Sequence, residues 1–260
     1  LLVATMLALQ PLAFPVSAAP ADDVAPPEAW GPIPTETQLQ YHEEELSAFI
    51  HFGVNTFTGV EWGNGRENPN VFHPTGLDTD QWVKALKDAG FERIIMIGRH
   101  HDGFCLWNSD YTTQDVASST DFQATQAARG QSGDVLEELS KSCTKYDMDM
   151  GFYLSPWDAN NPTYGYGSGT DEETDSNGDY NEYYMNQLRE VLGNPKYGNN
   201  GKFVEVWMDG AKGSGAAAQH YKFQEWFDLL EELQPGAVVF SPYGSTIRWI
   251  GNESGKAGDP

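Results

Sequence analysis

The feature that most constrains this chain is an alternation of two hydrophobic periods along most of its length. Short apolar runs of strand character occur in LSAFIHFGVNTF from Leu46, ERIIMIG (92–98), MDMGFYL (148–154), FVEVWMDG (203–210) and AVVFS (237–241). Between them lie stretches with helical spacing. One covers about 79–89, with Trp82, Val83, Leu86 and Ala89 on a face and Gly90 as its stop. A second covers about 133–146, with Val135, Leu136, Leu139, Cys143 and Tyr146. A shorter one runs near 181–192, and the last, 217–233, carries Phe223, Trp226, Phe227, Leu230 and Leu233 before a Pro-Gly stop. Strand followed by helix, repeated, predicts a parallel α/β fold. No Gly-rich nucleotide loop follows any of the strands, so a (β/α)8-like, TIM-type barrel is favoured over a doubly wound sheet. A closed barrel needs eight strands. The five that are legible predict a barrel incomplete at the C-terminus, with residues 45–260 as its N-terminal part.

The flanking segments read differently. LLVATMLALQPLAFPVSAAP is apolar, short for a membrane span and broken by proline, and Val16-Ser17-Ala18 fits a small-residue cleavage pattern. Residues 1–19 are therefore expected to be a partial secretory signal peptide, and the protein secreted or periplasmic. Residues 20–44, rich in proline at first and without a period, read as a linker. The formal charge of −23, from 38 acidic and 15 basic residues, argues against nucleic acid and anionic membrane as partners. Two cysteines, Cys105 and Cys143, are too few for a disulfide scaffold, and Cys143 on its apolar stripe reads as a buried thiol.

Chemistry-bearing side chains gather after the strands, where parallel α/β folds place their sites. In FVEVWMDG the alternation sets Phe203, Glu205, Trp207 and Asp209 against Val204, Val206 and Met208. The second set is expected to face the helices, leaving Trp207 and Asp209 at the strand's carboxyl end and Glu205 deeper as an ion-paired interior residue. Asp209 is then a candidate nucleophile; a solvated Asp-Gly turn is the plainer alternative. His51 follows the first strand, with Glu61 and Trp62 in its loop. His100, His101, Asp102 and Trp107 follow the second, Tyr153, Trp157 and Asp158 the third, and Arg248, Trp249 and Glu253 the fifth.

Tryptophans, histidines and acids collected in this way suit a saccharide. Aromatic faces cover the apolar side of a sugar ring while His and carboxylates bind its hydroxyls. Glycoside cleavage needs two carboxylates, and Asp209 with Glu253 are the pair, about one strand–helix unit apart. As the acid, Glu253 must stay protonated, through burial or through Asp209 nearby, and Arg248 would oppose this if aimed at it. Consecutive histidines on extended backbone point in opposite directions, so His100 and His101 are poor co-ligands, and neither a metal nor a cofactor is expected. Packing remains an alternative for one of these histidines and for one of Trp62, Trp157 and Trp207.

Five blocks in order, AFIHFGVNTFTGVEW (48–62), HHDGFCLWNS (100–109), GFYLSPWD (151–158), VWMDGAKGSG (206–215) and RWIGNESG (248–255), resemble glycoside hydrolase family 29, the retaining α-L-fucosidases. The resemblance implies a (β/α)8-like catalytic barrel, usually followed by a β-sandwich. It places the nucleophile on Asp209 and the fucose pocket on His51, Trp62, His100, His101, Tyr153 and Trp207, with Glu61 and Asp158 beside them. SPWD and RWIGNESG resemble the subgroup acting on α-1,3/1,4-linked fucose, whose acid/base falls on Glu253. Two departures stand out: Arg99 where relatives carry Lys before the histidines, and PYGST (242–246) where they carry an acidic turn. The expected activity is exo-α-L-fucosidase on a fucosylated oligosaccharide or glycoconjugate. The alternatives are a non-catalytic relative that binds fucosyl glycans through the same cleft and a metal-dependent barrel hydrolase.

Overall fold

A computed structural model describes residues 25, 27–165, 179–212, 219–241, 246–247 and 254–256. The expected signal segment 1–19, Arg248 and Glu253 lie outside the described residues. The chain divides into two compact units, Leu1–Ile33 and Pro34–Pro260. In the first, the described residues form neither helix nor strand, and Trp30 is almost fully exposed. The second holds the sheet.

Five parallel strands follow one another across that sheet in the order in which they occur in the chain: β1 (Ser47–Ile50), β2 (Arg93–Arg99), β3 (Asp149–Leu154), β4 (Glu205–Trp207) and β5 (Val238–Phe240). Each step is spanned by helix: α3 (Thr79–Asp88) between β1 and β2, α4 (Thr120–Ala128) and α5 (Val135–Tyr146) before β3, α6 (Asp179–Leu192) before β4, and α7 (Phe223–Leu233) before β5. The order never reverses, as it must in a doubly wound sheet, so the strands form an arc of a (β/α) barrel. Two further helices, α1 (Glu36–Glu43) and α2 (Val54–Thr58), flank β1.

Local chemistry explains the boundaries. The Asp78 carboxylate accepts the Gln81 N–H at 3.0 Å to start α3, and Gly90, at φ +87°, reverses the chain after it. Asp134 caps α5 in the same way through the Glu137 N–H at 2.9 Å. Along the strands, alternate residues go to opposite faces. Ile94, Met96, Met150, Phe152, Val206, Met208 and Val239 pack with Val83, Leu136, Leu139, Leu188 and Trp226 into the main core. Each such side chain, fully removed from water, stabilises the fold by about 1.5–3 kcal/mol. Ile95, Ile97 and Tyr153 form a smaller cluster on the other face, with Trp207 against it.

The structure corrects several boundaries. Residues 36–43, within the expected linker, are helical: Thr35 and Gln38 close a capping box, and Glu44 just beyond pairs with Arg93. The first strand stops at Ile50, and its polar continuation becomes α2, where the Thr56 hydroxyl accepts the Gly53 N–H at 3.2 Å. Phe203 joins the helix-side core against Phe152, because β4 begins only at Glu205 and strand parity does not reach it. The last helix begins at Phe223 rather than near 217. Helix α4 buries only Phe122 and Gln126, too few for a readable stripe. Both cysteines are free and buried.

Candidate active site

The site is built on the inner face, near the carboxyl ends of the strands. Register there pairs Ile97 with Tyr153, Tyr153 with Trp207 and Trp207 with Phe240, giving one layer across four strands. The Trp207 ring lies 3.9 Å from Phe240 and nearly parallel to it, with Tyr153 stacked 5.6 Å away on Trp207. This aromatic floor fixes what stands above it.

Asp209 stands there, two residues beyond Trp207. Its carboxylate accepts the Tyr153 O–H at 2.9 Å on Oδ2 and the Ala211 N–H at 2.7 Å on Oδ1. The carboxylate is thus held from both oxygens, yet its side chain keeps 27% of its exposure. His101 Nε2 lies 4.0 Å from Oδ2. On its other side, His101 Nδ1 is 2.7 Å from the Ser155 hydroxyl, which itself donates to the Trp157 carbonyl at 2.7 Å. Ser155 has spent its proton, so Nδ1 carries the hydrogen and Nε2 faces Asp209 with a lone pair. Two acceptors 4.0 Å apart make a natural place for a hydroxyl to enter with its proton.

The histidines are held neutral. Burial pushes His100 down to about 3, helped by its neighbours His101 and His51, with Asp209 pulling the other way. Burial likewise takes His101 to about 4 against Asp209, and partial burial lowers His51. His100 stacks on Tyr153 at 5.9 Å and meets His51 edge-on at 5.7 Å. The expected divergence of His100 and His101 is not seen. Their rings lie 4.0 Å apart, because the strand ends at Arg99 and alternation ends with it. Among the described residues, no group of three or more His, Cys, Asp or Glu side chains converges to hold a metal ion.

Trp62, half-exposed, stands edge-on to His101 at 5.3 Å and to Trp157 at 5.6 Å, while Trp157 stacks on His101 at 4.8 Å. Glu61 and Trp62 line a cleft of about 410 Å³ together with His51, His100, Asn55 and Asp102. His51, Trp62, His100, His101, Tyr153, Trp157, Trp207 and Asp209 are thus linked by direct contacts, and Glu61 borders the same cleft.

Asp158 differs from its expected place in the pocket. It is 1% exposed, and its carboxylate is used up by Arg99 Nη1 at 2.9 Å, Tyr183 O–H at 3.2 Å and the N–H groups of Asn160 and Asn161. Sequence reasoning assigned no role to Ser155, Phe240, Arg99 or Asn55. Phe240 sits at the alternate position of AVVFS that matches Trp207, a signal available from parity alone. Arg99 also reaches Gln187 Oε1 at 2.7 Å and the Ser155 carbonyl, which ties the β2 and β3 ends to α6. Those partners are far apart in sequence, and no local pattern announces them.

A sequence model of the α-L-fucosidase family matches residues 28–248, most of the chain. The chain belongs to the α-L-fucosidase family. It is 44% identical over 227 residues to α-L-fucosidase 1 of Arabidopsis thaliana, covering 87% of this chain and 40% of that protein. Among solved structures, SpGH29 superposes with a TM-score of 0.78 at 49% identity, covering 89% of this chain and 48% of that one. A Ruminococcus gnavus GH29 fucosidase crystallised with fucose follows at 0.75 and 47%, covering 85% and 46%. The fucosidase-family chain therefore spans about two fifths of its curated relative and about half of each of these structures.

Proposed function

We propose that the native protein is a retaining exo-α-L-fucosidase that removes terminal α-1,3/1,4-linked L-fucose from glycans. The observation that carries this reading is the Asp209 carboxylate. It is anchored through Tyr153 and Ala211, partly exposed, and faces a neutral His101 across a gap that suits a substrate hydroxyl. In the proposed reaction an Asp209 oxygen attacks the anomeric carbon as the bond to the aglycone oxygen breaks, and Glu253 gives that oxygen its proton. Water then attacks the fucosyl–Asp209 ester, passing a proton back to Glu253 and restoring the carboxylate. Tyr153 and the Ala211 N–H orient the nucleophile, and the neutral histidines accept from or donate to hydroxyls without placing a cation beside the developing oxocarbenium charge. The GH29 structure with fucose, 47% identical, supports fucose as the sugar. The SPWD and RWIGNESG blocks support the linkage, and the apolar segment 1–19 supports export.

Release of fucose from an aryl α-L-fucoside, abolished in Asp209→Ala, tests the core of this reading; unimpaired turnover by that variant would refute it. Glu253→Ala is expected to turn over slowly and to recover in part with azide, which takes the place of the missing base-assisted water. Hydrolysis of α-1,3- and α-1,4-fucosyl oligosaccharides in preference to α-1,2-fucosyl ones tests the linkage. A mature N-terminus near residue 19 in protein recovered outside the cell tests export.

A further inference from the structure

The loop of residues 59–67 carries Glu61 and Trp62 to the cleft, where Trp62 stands edge-on against the buried His101. What seats the loop lies beneath it. Asn55, on α2, donates from Nδ2 to Asp102 Oδ2 at 2.8 Å and reaches the Glu61 carbonyl at 3.4 Å. Asp102, 3% exposed, is fixed in turn by the Phe104 N–H, which donates to its Oδ1 at 2.8 Å. Gly63 lies directly over the pair. A Cβ there would come within 2.7 Å of the Asp102 Cβ and 2.9 Å of Asn55 Oδ1, so only glycine lets the loop descend this far. Beside that pair, Glu67 accepts the N–H groups of Asn64 at 2.6 Å and Gly65 at 3.0 Å, holding the loop's turn in shape.

We propose that Asp102 is a positioning residue of this site: through Asn55 it clamps the 59–67 loop so that Trp62 stands against His101 and Glu61 borders the cleft. The inference rests on the fucosidase reading for its kinetic consequence but not for the clamp itself. Asp102 lines the floor of the cleft apart from the residues around Asp209, and its proposed effect on the substrate runs through the loop. On the fucosidase reading the loop walls the cleft away from the reacting carboxylate, so loosening it is expected to weaken binding more than chemistry.

The test uses Asn55→Ala, Asp102→Asn, their combination, and Gly63→Ala, all in the native protein. Asn55→Ala and Asp102→Asn are each expected to raise KM for an aryl α-L-fucoside by about tenfold, the scale of losing one hydrogen bond to a charged group, while kcat stays within about threefold; Gly63→Ala, which lifts the loop by a clash, is expected to raise KM in the same direction. The double variant is expected to be no worse than the poorer single one, since both cut the same link. Amide hydrogen exchange across 59–67 should quicken in all of them, with protection in β2 and β3 retained. Unchanged KM in Asn55→Ala and Asp102→Asn, or effects that multiply in the double variant, would overturn the proposal. If the wild type releases no fucose, the fucosidase reading fails instead, and the exchange of 59–67 still decides the clamp: faster in the variants supports it, unchanged rejects it.

Discussion

The inner face of this sheet holds two polar clusters at opposite ends of the strands, and they are built on opposite principles. Toward the amino ends, Arg93 sits between two carboxylates, Glu205 at 3.0 Å and Glu44, and all three are buried or nearly so. Charge is balanced there by charge. Even so, burial outweighs Arg93 and raises Glu205 to about 7. At the carboxyl ends, Asp209 has no cationic partner among the described residues. Its neighbours are a tyrosine, a backbone N–H and histidines that burial keeps neutral. In the first cluster each carboxylate is paired with Arg93; in the second the carboxylate is oriented by neutral donors and left partly exposed. The same sheet thus separates an ion-paired cluster from one with an open carboxylate by a few residues, from Glu205 at the start of β4 to Asp209 just beyond its end.

Removing one partner should affect the two ends in different currencies. The largest effect is expected at the base: Arg93→Met leaves Glu205 buried without its cation and should cost about 3–5 kcal/mol of stability, read by denaturant unfolding. Glu205→Gln alongside it should recover part of that loss, and a stable Arg93→Met protein would mean the base cluster is not an ion-paired anchor. At the other end, Tyr153→Phe should leave stability nearly unchanged. It should lower kcat/KM for an aryl fucoside by about 10–100-fold, the worth of a hydrogen bond to a charged group. If it destabilises the protein and spares turnover, the distinction between the two ends collapses.

The pH dependence separates the clusters by sign. As pH falls below the ordinary histidine value of 6.5, the unfolded chain takes up protons that His100 and His101 refuse until about 3 and 4. Their contribution to stability is therefore lost on acidification. Glu205 works the other way: between its ordinary 4.5 and about 7 the folded chain keeps a proton that the unfolded chain releases, so stability is lost as pH rises. Melting temperatures from pH 4 to 8 should show a shallower acid limb in His101→Gln and a shallower decline toward neutrality in Glu205→Gln. Identical profiles for both variants would contradict the assignment. The smallest effect is expected from Trp62→Phe, which keeps an aromatic wall against His101 and should raise KM only about two- to fivefold, the scale of a partial loss of apolar contact.

Much of this was legible in the residues themselves. The period-2 and helical runs determined the parallel βα order, because each element must turn one apolar face to a shared core and the pattern records which face. Parity in FVEVWMDG placed Trp207 and Asp209 together and Glu205 on the same side below them. The ordered blocks from AFIHFGVNTFTGVEW to VWMDGAKGSG carried enough chemistry to indicate the family. Helix α4, with only Phe122 and Gln126 buried, left no stripe to read, and Phe203 broke its parity because the strand had not yet begun.

What only the tertiary structure decided is which polar groups are spent and which are free. Asp158 and Asp209 look alike in sequence, each an acid after an aromatic-rich strand. The first is consumed by Arg99, a residue from another strand; the second is oriented and left partly open. The tautomer of His101 depends on Ser155, and the seating of Trp62 depends on Asp102 beneath Asn55 and Gly63. Local sequence sets the period of burial because neighbours along the chain share one backbone geometry. Hydrogen-bond partners and the burial that shifts a proton come from segments distant in the chain, and only folding brings those together.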